Sequence, residues 1–529
     1  MGLFGKNKVI SAPQQVVQQG TMFKIPEIPE IPTLPDLKDK TQLNVTYPLI
    51  APYVNAHIYW DQQLNELVYS VEEPVLDPRE KRILGLAEEG VRELINLSFI
   101  NMKTPQIVVE YLEKNLKIIL TELGIKITRD TFVKLMYYIY RDFVGLNELE
   151  PLMRDFFIED VECNGINTPI YVVHRRYSNL RTNLIFPEVK KLTSFVEKLA
   201  QKSGKYISYA SPLLDGSLPD GSRVNATYSQ EISARGPTFT IRKFTREPWS
   251  PVQLMQFGTL SPELLAYLWI LIENESNLMV IGGTGAGKTT LLNVLAFFIP
   301  PAARIVSIED TRELMLLHEN WLPSVARAGM TIGGAEKRGE VDLFALLKES
   351  FRQRPDYVIV GEIRGAEAYV LFQGMSSGHP SFGTMHAEDV NTMIKRLQTQ
   401  PINLSSSLVE TLDAVCVMTQ VKMGEKMIRK VREVSEIVSV KDSGEAVTNV
   451  PMRWDPRTNK FMFKKDSKIF EKISLKRGIP KEALWREFVR RTNLFIKLYN
   501  QRIVGFKEVH DIVSNYYKTP QRIIQQFGL

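Results

Sequence analysis

The run LMVIGGTGAGKTTLLNVLAFF, from Leu278 to Phe298, constrains this chain more than any other stretch. Four apolar residues, Leu278 to Ile281, read as a buried strand and lead directly into Gly282, Gly283, Thr284, Gly285, Ala286, Gly287, Lys288, Thr289 and Thr290. An apolar helix follows, and strand, glycine-rich turn and helix in that order are the context a phosphate-binding loop requires. Glycines let successive backbone N–H groups and the helix N-terminus converge on a β-phosphate. Lys288 is placed to neutralise β/γ oxygens, and the Thr289 hydroxyl to ligate Mg²⁺. The cofactors implied are ATP and Mg²⁺.

Three later apolar strands end on polar residues, and ligands of open α/β sheets bind beyond the carboxyl ends of strands. RIVSI ends in Glu309-Asp310, YVIV in Gly361-Glu362-Ile363-Arg364, and SFGTM in His386. Glu362 can polarise a water that attacks the γ-phosphate, with Arg364 in the same motif. Glu309 can hold a magnesium-bound water or share the role of base. Each carboxylate also has a bland reading, a salt bridge to a neighbouring Arg. His386, on composition alone, reads as a core histidine.

The rest of the 529 residues is more than one domain's worth of chain. Residues 1–40 carry Pro26, Pro29, Pro32 and Pro35 at a three-residue interval, the period of polyproline II, and are expected to be an extended, disordered tail. Residues 41–150 alternate strand-like runs with three amphipathic helices, an N-terminal α+β domain; residues 151–250 read as a strand-rich, PAS-like second domain. Residues 251–440 carry the βαβ pattern of a parallel sheet covered by helices, and 441–529 a basic helical extension. Between Phe461 and Arg502 twelve Lys/Arg stand against four Asp/Glu, whereas the whole chain carries only +6. A helix in solvent, with Leu484, Phe488, Phe495 and Leu498 as its core face, is the default reading there; contact with a membrane partner or anionic lipid head groups is the alternative. The longest apolar run, Leu264 to Ile272, is too short for a span of roughly 20 residues, so a cytoplasmic protein peripherally associated with the membrane is expected. Cys163 and Cys416 are too few for a disulfide framework.

In sequence order GGTGAGKTT, IEDTRE, LLKESFRQRPDYVIVGEIRG and SGHPSFGTMHAED resemble the phosphate loop, acidic box, second acidic motif and histidine box of the secretion ATPases that drive type II and type IV secretion, type IV pili and the archaellum. The resemblance covers roughly residues 150–440. It implies a RecA-like ATPase preceded by a small mixed-sheet domain, assembled as a homo-hexamer, with nucleotide lying between the two domains and completed by arginines of the small one. On this sequence those arginines are Arg223, Arg235 and Arg242. The resemblance also moves His386 into the catalytic set, and implies as partner a polytopic membrane platform protein of a type IV filament. With two cysteines the chain lacks the four-cysteine metal site that many bacterial members insert, and its terminal regions look like archaeal members, among which archaellum motors and pilus ATPases are not separated. The competing readings are a RecA-like nucleic-acid motor and a non-hydrolysing nucleotide-gated scaffold. Nucleic acid is not expected, because the basic region lacks interleaved aromatic platforms.

Overall fold

The structure is a computed structural model, which describes residues 22–24, 32, 34–35, 39–94, 105–244, 248–327, 339–423, 426–441 and 444–529. It divides into two compact units, Met1–Lys243 and Phe244–Leu529.

In the first unit β1 (Asn44–Ile50), β2 (Val54–Asp61) and β3 (Glu66–Glu72) form an antiparallel meander. Helices Pro78–Leu94, Pro105–Glu122 and Arg129–Phe143 follow, burying the stripes that the sequence spacing marks, among them Ile83, Ala87, Leu112, Leu116, Leu135 and Ile139. Next come β4 (Ile158–Cys163), β5 (Pro169–His174), β6 (Ser178–Ile185), a helix at Val189–Lys202, β7 (Leu213–Ser217), β8 (Arg223–Thr227) and β9 (Thr238–Arg242). All nine strands belong to one sheet, in the order β1-β2-β3-β6-β5-β4-β9-β8-β7. The boundary placed at 150/151 therefore falls inside one sheet. Its two parts meet in a short parallel pairing of β3 with β6, Val68 opposite Arg181 and Tyr69 opposite Thr182. Asp155, buried just before β4, fastens the same join: its Oδ2 accepts from the hydroxyls of Tyr47 on β1 and Tyr69 on β3, each at 2.6 Å.

Most of the proline repeat, residues 25–31 and 33, lies outside the described residues. Those described nearby are docked. Phe23 and Leu34 are buried, Phe23 stacks on Tyr53 with centroids 5.2 Å apart, and the Met22 and Phe23 amides donate to the Glu113 carboxylate at 2.9 and 3.5 Å. Apolar anchors hold this part of the expected tail against the core.

The second unit holds β10 (Leu278–Ile281), β11 (Ile305–Glu309), β12 (Trp321–Val325), β13 (Tyr357–Ile363), β14 (Ser381–Met385), β15 (Ala414–Met423), β16 (Lys426–Val440), β17 (Ala446–Asp455) and β18 (Lys460–Phe463), in the order β12-β11-β13-β14-β10-β15-β16-β17-β18. Pairings from β12 to β15 are parallel and those beyond are antiparallel. The fold is α/β, and this parallel core, with the phosphate-loop strand flanked by β14 and β15, is a RecA-like arrangement. Fully buried stretches such as LMVI on β10 and YVIV on β13 read as continuous apolar runs because helices cover both faces. The apolar run Leu264 to Ile272 is a core helix, Pro262–Glu273, buried throughout those nine positions.

Two expectations about the C-terminal region change. The sheet runs on to Phe463, so the helical part begins only at Lys468. Its helices are not solvated appendages: Leu484, Phe488, Phe495, Leu498, Val509 and Val513 share one core with Trp269 and Phe298. Arg491, 3% exposed, lies 4.4 Å over the Trp269 ring and pairs with Glu273 at 2.5 Å and Glu487 at 2.9 Å. Much of the basic excess is spent inside the unit, Lys472 on Asp413, Arg477 on Glu275 and Lys481 on Glu471.

Candidate functional site

Strand β10 delivers the chain to a loop that only glycine-rich sequence can make. Gly285 and Gly287 adopt φ of 71° and 91°, in the left-handed region that penalises a Cβ. Gly287 then caps the helix Lys288–Ala296. Lys288 is buried, and burial holds its ammonium below the usual lysine range. Its Nζ donates to the loop's own carbonyls, Gly282 at 3.2 Å and Gly283 at 3.1 Å, and reaches His386 Nδ1 at 3.3 Å.

Glu362, next to last on β13, and His386, directly after β14, meet at this lysine. His386 Nε2 is 2.9 Å from Glu362 Oε1, and the other oxygen of Glu362 accepts from Arg364 at 2.5 Å. Burial, then the neighbouring Lys288, pushes the imidazole below its ordinary range. One tautomer satisfies both contacts: Nε2–H donates to Glu362 while Nδ1 accepts from Lys288. Partial burial pushes the Glu362 carboxyl up, but Arg364, His386 and Lys288 outweigh it and hold it below the usual carboxylate range. Arg364 also reaches Asp310 at 3.4 Å, linking the two acidic motifs. Beyond this cluster opens a cleft of about 620 Å³, lined by Glu362, Arg364, His386 and Arg396 among others. Arg396 donates to the His386 backbone carbonyl and fixes that strand end.

Glu309 ends β11 and is 1% exposed. Its Oε1 accepts from the amides of Glu313 and Leu314, both at 2.9 Å, while Oε2 is buried with no hydrogen-bond partner among the described residues. Burial pushes its carboxyl up to about 7. Asn293, one turn beyond Thr289, holds the other side of the same loop, its Oδ1 accepting from the Met315 amide at 3.0 Å. An orphaned carboxylate oxygen at the end of β11 and a threonine hydroxyl at the second position of the phosphate-loop helix are oxygen donors of the kind a hydrated Mg²⁺ takes.

Arg223 and Arg242 lie directly opposite each other on β8 and β9 of the first unit. Each has an acidic neighbour, Asp215 at 3.0 Å and Asp160 at 3.1 Å. Arg235 is exposed in the loop between these strands. The structure thus gathers Gly282 to Thr290, Glu309, Glu362, Arg364 and His386 at one edge of the second unit; on the first unit it brings Arg223 and Arg242 together but places Arg235 at the opposite end of the β8–β9 hairpin, beside Gly165 and Ile166. Sequence reasoning missed Asn293 and Arg396, which belong to no motif, and gave no role to Asp310, although it lies in the acidic box IEDTRE next to Glu309.

Residues 173–457 match the family described as "Type II/IV secretion system protein". An uncharacterized protein of Methanocaldococcus jannaschii, MJ0900, is 37% identical over 400 residues, 74% of this chain and 71% of its own. The type IV secretion system protein PtlH of Bordetella pertussis is 30% identical over 42% of this chain and 74% of its own. Among solved structures, the Legionella pneumophila ATPase DotB aligns with 68% of this chain and 92% of its own, at 17% identity and a TM-score of 0.40.

Proposed function

Because the chain belongs to the type II/IV secretion system protein family, we propose that it hydrolyses Mg-ATP to drive assembly or rotation of a type IV filament, in an archaellum or archaeal pilus, or a type II-like secretion step. The observation that carries the catalytic part is the contact chain Lys288–His386–Glu362–Arg364 across the ends of β10, β14 and β13.

Lys288 now satisfies itself on loop carbonyls, and an arriving triphosphate offers it a stronger, charged acceptor. Its departure removes the donor from His386 Nδ1, so phosphate binding is felt at Glu362 through one imidazole. Glu362, kept ionised by Arg364, then orients and deprotonates the attacking water. Mg²⁺, held by Thr289 with Glu309 through a bound water, would neutralise charge on the β/γ oxygens. Arg223, Arg235 and Arg242 are proposed to grip phosphate oxygens in the assembled protein, where the guanidinium fork suits two oxygens at once. A homo-hexamer working on a polytopic membrane protein, without nucleic acid, is the assembly this reading implies, peripheral to the membrane from the cytoplasmic side. Among the described residues no helix is long and apolar enough to cross a membrane.

The test is Lys288→Ala. It should weaken Mg-ATP binding and abolish turnover, measured as phosphate release; normal turnover in that variant rejects the assignment.

A further inference from the structure

The edge of the second sheet is asymmetric about the phosphate loop. β10 pairs in parallel with β14 on one side and β15 on the other, Ile281 lying opposite both Met385 and Val417. On the β14 side stand His386 and Glu362, so a triphosphate lying across the loop with its γ-phosphate at that pair directs its other end toward β15. That side is built up. β15 continues past Val417 to Met423, and β16 returns beside it, with a register shift at Val417/Met418 where the hairpin leaves the sheet. Met418, Gln420 and Lys422 alternate onto one face of β15, opposite Val431, Arg429 and Met427 on β16.

This face touches the loop. Arg429 Nε donates to the Gly285 carbonyl at 2.8 Å. A Cβ on Gly285 would stand 3.5 Å from Gln420 Oε1, and one on Gly287 3.5 Å from Arg429 Cδ. Farther out on the same face are exposed Lys422 and Met427, the latter 53% exposed.

Resting on the reading that the loop takes a nucleoside triphosphate, we propose that this hairpin face is the nucleoside wall of the site, with Gln420, Met427 and Arg429 contacting the purine and ribose of the bound nucleotide. The chemistry suits that end of the ligand. A thioether and a planar guanidinium pack on an aromatic base, and the Gln420 amide offers donor and acceptor to a base edge or ribose hydroxyl. The same guanidinium grips the loop, so the base contact and the phosphate contact share one backbone segment.

The experiment compares ATP with inorganic tripolyphosphate, which carries the phosphates and no nucleoside, by calorimetric titration of the full chain with Mg²⁺. Gln420→Ala with Met427→Ala should weaken ATP about tenfold and leave tripolyphosphate unchanged; both positions are exposed, so folding is not at stake. Arg429→Ala should weaken ATP more than tripolyphosphate. Unchanged ATP affinity in the double variant, or equal loss for both ligands, overturns the nucleoside wall. Lys288→Ala must weaken tripolyphosphate. If it does not, the phosphate-loop reading fails and the wall falls with it, an outcome distinct from failure of the wall alone.

Discussion

His386 Nε2 lies 2.9 Å from Glu362 Oε1, bridging the ends of two parallel strands that are neighbours in the sheet. If Glu362 is the base and His386 its orienting partner, the two should fail differently. Glu362→Gln should bind Mg-ATP normally and lose about 10²-fold or more in kcat, the usual contribution of a positioned base. His386→Ala should lose less, because Arg364 still holds the other oxygen. Single-turnover rates set beside nucleotide binding check this; a parallel loss of binding in Glu362→Gln would mark the carboxylate as structural.

The arginines call for a comparison of chain lengths. The second unit has its own core, so a fragment from Ser250 to Leu529 should fold and bind nucleotide. Without Arg223, Arg235 and Arg242 it should hydrolyse on the order of 10³-fold more slowly, the scale at which an added arginine acts in other phosphoryl transfers. Full-chain specific activity should rise with protein concentration, and Arg242→Ala should flatten that rise. A fragment as fast as the full chain would remove the first unit from the mechanism.

Asp155 concerns stability alone. Two tyrosine hydroxyls donate to one of its oxygens inside a buried join. Asp155→Ala strands both, and each unsatisfied buried hydroxyl costs about 1–3 kcal/mol. Denaturant midpoints should fall accordingly, and less in Asp155→Asn, which keeps a carbonyl oxygen. An unchanged midpoint in the alanine variant would show that β1–β3 are not fastened there.

The placement of Glu309, Glu362 and His386 at one edge of the sheet was legible because each ends or directly follows a short apolar strand, and strand ends are local signals. The join of β3 with β6 was not. It rests on two residue pairs more than a hundred positions apart, Val68 with Arg181 and Tyr69 with Thr182, and parallel pairing leaves no mark on either segment. Charge counting also misled at the C-terminus, because a sequence total does not reveal that Arg491 is buried against Trp269 or that Lys472 is spent on Asp413. Arg429 stayed hidden for a related reason: its place over Gly285 depends on how far β15 overruns β10.

His174 gives the pH dependence. Its ring is buried between Phe157 and Tyr177, stacked on both. Nδ1 accepts from the amides of Arg176 and Tyr177, and Nε2 has no hydrogen-bond partner among the described residues. Burial lowers its pKa from the usual 6.5 to about 4. Above pH 6.5 the ring is neutral in both folded and unfolded chains, and stability does not depend on it. Between 6.5 and 4 the unfolded chain takes up a proton that the folded chain refuses, so stability falls with pH, by about 3 kcal/mol over the full window and by about 2 kcal/mol at pH 5. His174→Asn keeps an acceptor near the two amides but cannot titrate. It should be less stable than the parent at pH 7, having lost the stacking, yet its urea midpoint should change less between pH 7 and pH 5. Equal acid slopes in the two proteins would mean that His174 is protonated in the fold and that the buried ring is not the acid-sensitive element of the first unit.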